Sequence, residues 1–87
     1  MTNIDVVKAF YNKEEAVNST GTLTSYGDSL FSYSTCIAQR GIDGKIIINC
    51  TKYSNSTAKH QSYLNKYDIA VYNVPRNSAT LNKYLPK

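Results

Sequence analysis

The sequence predicts a single α+β domain. It holds a small antiparallel sheet, a three-strand meander plus one further strand, with two or three helices packed on it in the order αβββαβα. Three observations carry this. Apolar residues recur at helical spacing near the start, where Val6, Val7, Phe10 and Tyr11 fall on one face. Residues 30–40 alternate with period two and run into an Asp43-Gly44 turn signal, followed by Ile46-Ile47-Ile48. The segment Tyr53-Ser54-Asn55-Ser56-Thr57 then offers several helix N-caps ahead of a second helical stretch. A chain of 87 residues, 41% apolar, supports one core near the lower size limit for unaided folding.

The elements follow in order. Thr2 and Asn3 suit an N-cap, and Asp5 places an acid in the first turn, where the helix dipole favours it. The resulting helix runs about three turns, and the polar stretch 12–20 ends it. Residues 20–25 read as a strand, rich in Thr with Leu23 as its apolar anchor. Tyr26-Gly27-Asp28-Ser29 reads as a turn in which Gly27 supplies positive φ. Residues 30–40 read as one long strand, and residues 45–51 as its return strand, with the three isoleucines covered on both sides. A helix is expected over 56–67 with Ala58, Gln61, Leu64 and Tyr67 as its apolar stripe. Residues 69–74 read as a fourth strand stopped by Pro75, and Asn77 or Ser78 caps a last short helix toward Leu85. With few helical crossovers the sheet is expected to be largely antiparallel, with its helices on one side.

Charge is distributed unevenly. Residues 44–87 carry Lys45, Lys52, Lys59, Lys66, Arg76, Lys83 and Lys87 against the single acid Asp68. Residues 1–43 carry three basic and five acidic side chains. A one-sided basic surface is the electrostatic footprint of a polyanionic partner. Trp is absent, and eight Tyr with two Phe supply the large surfaces; Tyr buries its ring while keeping a hydroxyl wet. With 18% charged residues the chain is too apolar and too weakly charged to be disordered.

The start, Met1-Thr2-Asn3-Ile4-Asp5, lacks a basic region and an apolar run, and the longest aliphatic run, residues 46–48, is far short of a bilayer span. The expectation is a cytoplasmic protein with no membrane partner. The sequons at Asn18, Asn49 and Asn55 carry no weight without secretion. In a reducing compartment Cys36 and Cys50 read as two small buried thiols rather than a disulfide. Two Cys and one His at scattered spacings do not make a metal site, and no cofactor is implied.

The second helix is where a binding function is expected. Lys59, Tyr63 and Lys66 share a face by their spacing; His60 and Tyr67 flank it, and Lys52 with Tyr53 precede the cap. Ammonium groups interleaved with rings suit a nucleic-acid strand, the cations on phosphates and the rings on bases. The bland alternative is a solvated helix whose lysines confer solubility and whose tyrosines pack on the sheet. The seven-residue spacing of Lys45, Lys52, Lys59 and Lys66 is coincidence, because apolar heptad positions are missing. A Cys–His pair using Cys36 or Cys50 with His60 is conceivable, but strand cysteines are usually inert. No phosphate loop or paired carboxylates appear, so no enzyme is expected.

Two stretches carry a resemblance. The first is Gly21-Thr22-Leu23-Thr24-Ser25-Tyr26-Gly27-Asp28-Ser29-Leu30-Phe31-Ser32-Tyr33 with Ile37-Ala38-Gln39-Arg40. The second is Thr51-Lys52-Tyr53-Ser54 with Ser56-Thr57-Ala58-Lys59-His60. Over roughly residues 16–64 the chain resembles a family of small proteins of bacteriophages and mobile elements. These show a G-x-L-S-(S/T)-x-G-x-x-L-(Y/F)-S-Y hairpin and a Y-S-x-(S/T)-T-(S/A)-K-H helix start. The resemblance brings no catalytic residue and implies a setting in which small phage proteins bind host machinery. The leading expectation is a non-catalytic accessory or counter-defence protein of anti-CRISPR type. It would engage a host nucleic-acid-handling complex or nucleic acid through Lys52, Tyr53, Lys59, His60, Tyr63 and Lys66. Ser54 and Thr57 would shape the helix start, while Lys59 and His60 would meet an acidic or phosphate group. The alternatives are a direct DNA- or RNA-binding protein of phage replication or regulation, and a small-anion or nucleotide binder. Strand 69–74, if an exposed edge, could pair with a second copy.

Overall fold

A computed structural model describes residues 1–41, 44–64 and 69–81. The fold is α+β: α1 (Asn3–Tyr11), β1 (Ala16–Val17), β2 (Leu23–Tyr26), β3 (Ser29–Ser32), β4 (Thr35–Arg40), β5 (Ile46–Asn49), α2 (Asn55–Gln61) and β6 (Ile69–Val71). The six strands form one sheet in chain order. β1 to β5 are antiparallel neighbours, whereas β6 lies parallel to β5, pairing Ile47 with Ile69 and Asn49 with Val71. The sheet is therefore mixed, larger than the expected meander plus one strand. The parallel pair follows from α2, which carries the chain back to the starting end of β5.

Three boundaries differ from the sequence reading. Residues 30–40 are not one strand: β3 and β4 are a hairpin joined through Tyr33 and Ser34, with Ser32 paired to Thr35. Alternation alone does not expose this turn, because Tyr33 takes the left-handed backbone (φ 56°) normally left to Gly or Asn. β1 adds an edge strand inside the stretch read as polar coil. α2 ends at Gln61, earlier than 67, and its inward residues are Thr57 and His60, while Ala58 is exposed. Residues 65–68, and with them Lys66 and Tyr67, lie outside the described residues, as does Asp43 of the turn signal. The last helix is absent from the described residues 77–81, and the rest of its expected span lies outside them.

Local chemistry explains the elements. Thr2 and Asp5 form a reciprocal capping box on α1: Asp5 N–H donates to Thr2 Oγ1 at 3.2 Å, and Thr2 N–H donates to the Asp5 carboxylate at 3.0 Å. That second bond holds the Asp5 carboxyl below its ordinary pKa. Gly27 (φ 58°) makes the two-residue turn between Tyr26 and Ser29. Arg40 closes the C-terminal end of α1, donating to Phe10 O at 2.6 Å with its guanidinium over the Phe10 ring.

The sheet is covered on both faces, as the alternation of β5 shows. Ile46 and Ile48 join Val6, Val7, Phe10, Leu23, Leu30, Ile37 and Leu64 beneath the helices. Ile47 joins Cys36, Val71, Val74 and Leu81 on the other face, where the segment after β6 lies across the strands. Both thiols are free; Cys36 is buried, and burial pushes its thiol up to about 11, but Cys50 is exposed rather than packed inside. Asn18 and Asn49, two of the sequon asparagines, are buried. Among the described residues no helix is long and apolar enough to cross a membrane.

Candidate functional site

Four segments meet at the end of the sheet where β3 turns into β4. They are the Tyr33-Ser34 turn, the loop after β5, the start of α2, and the residues after β6. Between them lies a pocket of about 260 Å³ lined by Ser32, Tyr33, Thr35, Tyr53, Ser54, Thr57, Arg76 and Asn77. It combines the end of the first motif, Ser32-Tyr33, with Tyr53, Ser54 and Thr57 of the second, residues at least twenty apart in the chain.

The floor is a connected polar network. Ser32 Oγ bonds His60 Nδ1 at 2.7 Å and donates to Thr57 Oγ1 at 3.1 Å. Ser54 Oγ accepts from Thr57 N–H at 3.2 Å as the N-cap of α2, and its hydroxyl donates to Thr57 Oγ1 at 3.3 Å. Ser32, Thr57 and His60 are all buried, and no fully buried side-chain polar atom among the described residues lacks a partner. With Ser32 donating to Thr57, His60 must carry its proton on Nδ1 and donate to Ser32. Burial first, and the neighbouring Lys59 second, lowers the imidazole pKa, so the ring is neutral near pH 7.

The walls are held from behind. Asn49, at 1% exposure, donates to Cys36 O at 3.1 Å and to the Tyr53 hydroxyl at 2.9 Å, and accepts from Thr51 N–H at 2.9 Å. Tyr53 in turn donates its hydroxyl to Val74 O. Its hydroxyl is thereby occupied, and what it offers the pocket is ring surface. Val74 N–H donates to Thr51 Oγ1, and Asn77 N–H to Thr35 Oγ1, both at 2.9 Å. These bonds fix the segment carrying Arg76 against the rest of the site.

The mouth has two left-handed residues, Tyr33 (φ 56°) and Asn77 (φ 67°). A tyrosine in that conformation costs on the order of 1 kcal/mol. Its ring is 56% exposed and sits 6.2 Å from the His60 ring. Arg76 is the one charged side chain among the described residues lining the pocket; it is exposed and makes no ion pair among them.

The residues singled out in the sequence separate here. Tyr53 lines the pocket as a wall, and His60 lies beneath it, buried at 4% exposure rather than presented to a partner. Lys52 and Lys59 are exposed, Lys52 just before Tyr53 and Lys59 on the solvent side of α2. Tyr63 is half-buried against the helix-side core. Lys45 precedes β5 and Lys52 follows it, so the two stand at opposite ends of that strand. Sequence reasoning missed Ser32, Tyr33 and Arg76. The only trace was that Ser32-Tyr33 closes the first motif and that Arg76 belongs to the basic half. No group of three metal-ligating side chains gathers among the described residues.

Comparison with known proteins finds no match among curated proteins and none among solved structures. A model of a family of unknown function, DUF8033, matches residues 2–77, a stretch that contains every described element and all eight residues of the pocket wall. On that extent of match, the chain belongs to this family of unknown function.

Proposed function

We propose that this is a non-catalytic accessory protein of phage type that contacts nucleic acid, free or inside a host nucleic-acid-handling complex. The contact face is the pocket end of the sheet together with Lys52, Lys59 and Arg76. One observation carries the reading: Arg76, a cation with no ion pair among the described residues, shares a pocket with Tyr33 and Tyr53, with two exposed lysines on the adjoining loop and helix. Cations for phosphates beside rings for bases is the chemistry of single-strand binding. The buried Ser32–His60 pair supports a non-catalytic role, since Ser32 Oγ is enclosed between Thr57 and His60 and donates away from the imidazole.

A counter-defence role fits the same surface, because a protein that occupies a host complex's nucleic-acid channel needs this mixture of charge and ring. The tagged protein is expected to capture nucleic acid from bacterial lysate. The triple change Lys52→Glu, Lys59→Glu and Arg76→Glu should reduce that capture at least tenfold. Nuclease treatment separates the possibilities: loss of all captured material supports nucleic-acid contact. Retention of a protein partner that the triple variant still binds would sink it.

A further inference from the structure

We infer that the pocket is a site for one nucleotide unit, its base against the Tyr33 ring and its phosphate on Arg76. The inference deepens the reading above and rests on it only for the presence of phosphate in the partner.

Size is the first argument. A volume of about 260 Å³ lies just below the range of drug-sized ligand sites, a scale that suits a single nucleotide unit rather than a longer stretch of strand. The wall is the second. Tyr53 has spent its hydroxyl on Asn49 and Val74 and presents carbon, and Tyr33 has one ring face toward His60 and more than half its surface open. Planar ligands stack on such faces whatever their hydrogen-bonding edge.

Charge is the third. Arg76 is the sole formal charge in the described wall, no carboxylate among the described residues pairs with it, and a guanidinium takes a phosphate bidentately. An acidic peptide would use Arg76 but leave the ring surface idle. A neutral aromatic ligand would leave the cation idle. A nucleoside monophosphate unit uses both.

Backbone strain is the fourth. Tyr33 at the mouth holds a left-handed conformation that a glycine or asparagine, such as Asn77 nearby, adopts more easily. A bulky exposed ring in that position does nothing for the core, and strain of this kind gathers at ligand sites. The lips are also pre-set: Tyr33 N–H donates to Thr22 O at 2.8 Å and Asn77 N–H to Thr35 Oγ1 at 2.9 Å, so little ordering is left for binding.

The ligand can be a free nucleotide or an unstacked nucleotide of a single strand, and one experiment distinguishes them. The intact protein, labelled for amide NMR, is titrated with adenosine and cytidine monophosphates, the matching nucleosides, inorganic phosphate, and a short single-stranded oligonucleotide. The monophosphates should shift the amides of Ser32, Tyr33, Ser54 and Asn77 saturably, with nucleosides and phosphate each weaker. Arg76→Ala should weaken monophosphate binding about tenfold, and Tyr33→Ala roughly five- to tenfold. Both side chains are exposed, so both variants should fold.

Monophosphates that leave the pocket amides unmoved, or that bind both variants like the wild type, overturn the inference. If the oligonucleotide binds only around Lys52 and Lys59, indifferent to Tyr33→Ala, the pocket site fails while nucleic-acid contact survives. If monophosphates fill the pocket and the oligonucleotide does not bind, the site stands as one for free nucleotides and the nucleic-acid reading falls.

Discussion

Replacing Asn49 with Leu should cost about 3 kcal/mol of stability and lower the melting temperature by roughly 15 °C. Leucine keeps the branching and heavy-atom count of asparagine and is no smaller, so the loss comes from hydrogen bonds rather than from a cavity. Asn49 hydrogen-bonds the Cys36 carbonyl, the Thr51 amide and the Tyr53 hydroxyl, and it is buried at 1% exposure. A buried polar group deprived of its partner costs about 1–3 kcal/mol, and three are deprived together. The exposed Asn55→Leu, on α2, serves as the comparison and should stay within about 0.5 kcal/mol. Thermal or urea unfolding of both variants checks this. A loss below 1 kcal/mol for Asn49→Leu would show that the pocket's rear wall is not held as described. The same change should also release Tyr53, so pocket occupancy and stability should fall together.

The second large effect concerns His60 and acid. Burial and Lys59 hold its folded-state pKa below the ordinary value, so the unfolded chain binds the proton more readily than the fold. The sign follows: this contribution to stability is fully present above the unfolded pKa of about 6.5 and is lost as pH falls through the lower folded value. Melting temperatures measured from pH 8 down to pH 5 should drop on the acid side in the wild type and drop less in His60→Gln. Parallel curves for the two proteins would remove His60 as the source. At neutral pH, Ser32→Ala should cost about 2 kcal/mol, since it leaves His60 Nδ1 and Thr57 Oγ1 facing each other across an empty hydroxyl position.

What could be read from the chain, and what could not, divides along local and non-local lines. The α1 helix was legible because its apolar spacing, the Thr2 cap and Asp5 all act within a few residues. The isoleucines of β5 were legible as doubly covered, and they are. The hairpin at Tyr33 was not, because a tyrosine in the left-handed region is chosen by its surroundings and not by its own preference. The inward face of α2 was misread for the same reason. Thr57 and His60 turn toward the sheet because Ser32, at least 25 residues away in the chain, waits there with a hydroxyl. The parallel placement of β6 depends on where the chain returns after α2, which no run of three residues encodes.

The site was half legible. Tyr53 was expected in the contact set and Ser54 and Thr57 at the helix start, and all three line one pocket. His60, expected to greet a ligand, supports the floor instead. Arg76 emerged only when the fold brought the residues after β6 beside the start of α2. The basic half is likewise less unified than a charge count suggests, since Lys45 stands at the far end of β5 and Lys66, Lys83 and Lys87 lie outside the described residues. Three described cations, Lys52, Lys59 and Arg76, make up the proposed contact set.

Those three set the decisive measurement. Fluorescence anisotropy of a labelled single-stranded oligonucleotide, titrated with the protein at several salt concentrations, reads directly how many phosphates the surface neutralises. With three cations engaged, the logarithm of affinity should fall against the logarithm of salt with a slope of about −2, and Arg76→Ala should make that slope shallower. No binding at the lowest salt, or binding indifferent to salt and to Arg76, would contradict the assignment of this face to nucleic acid.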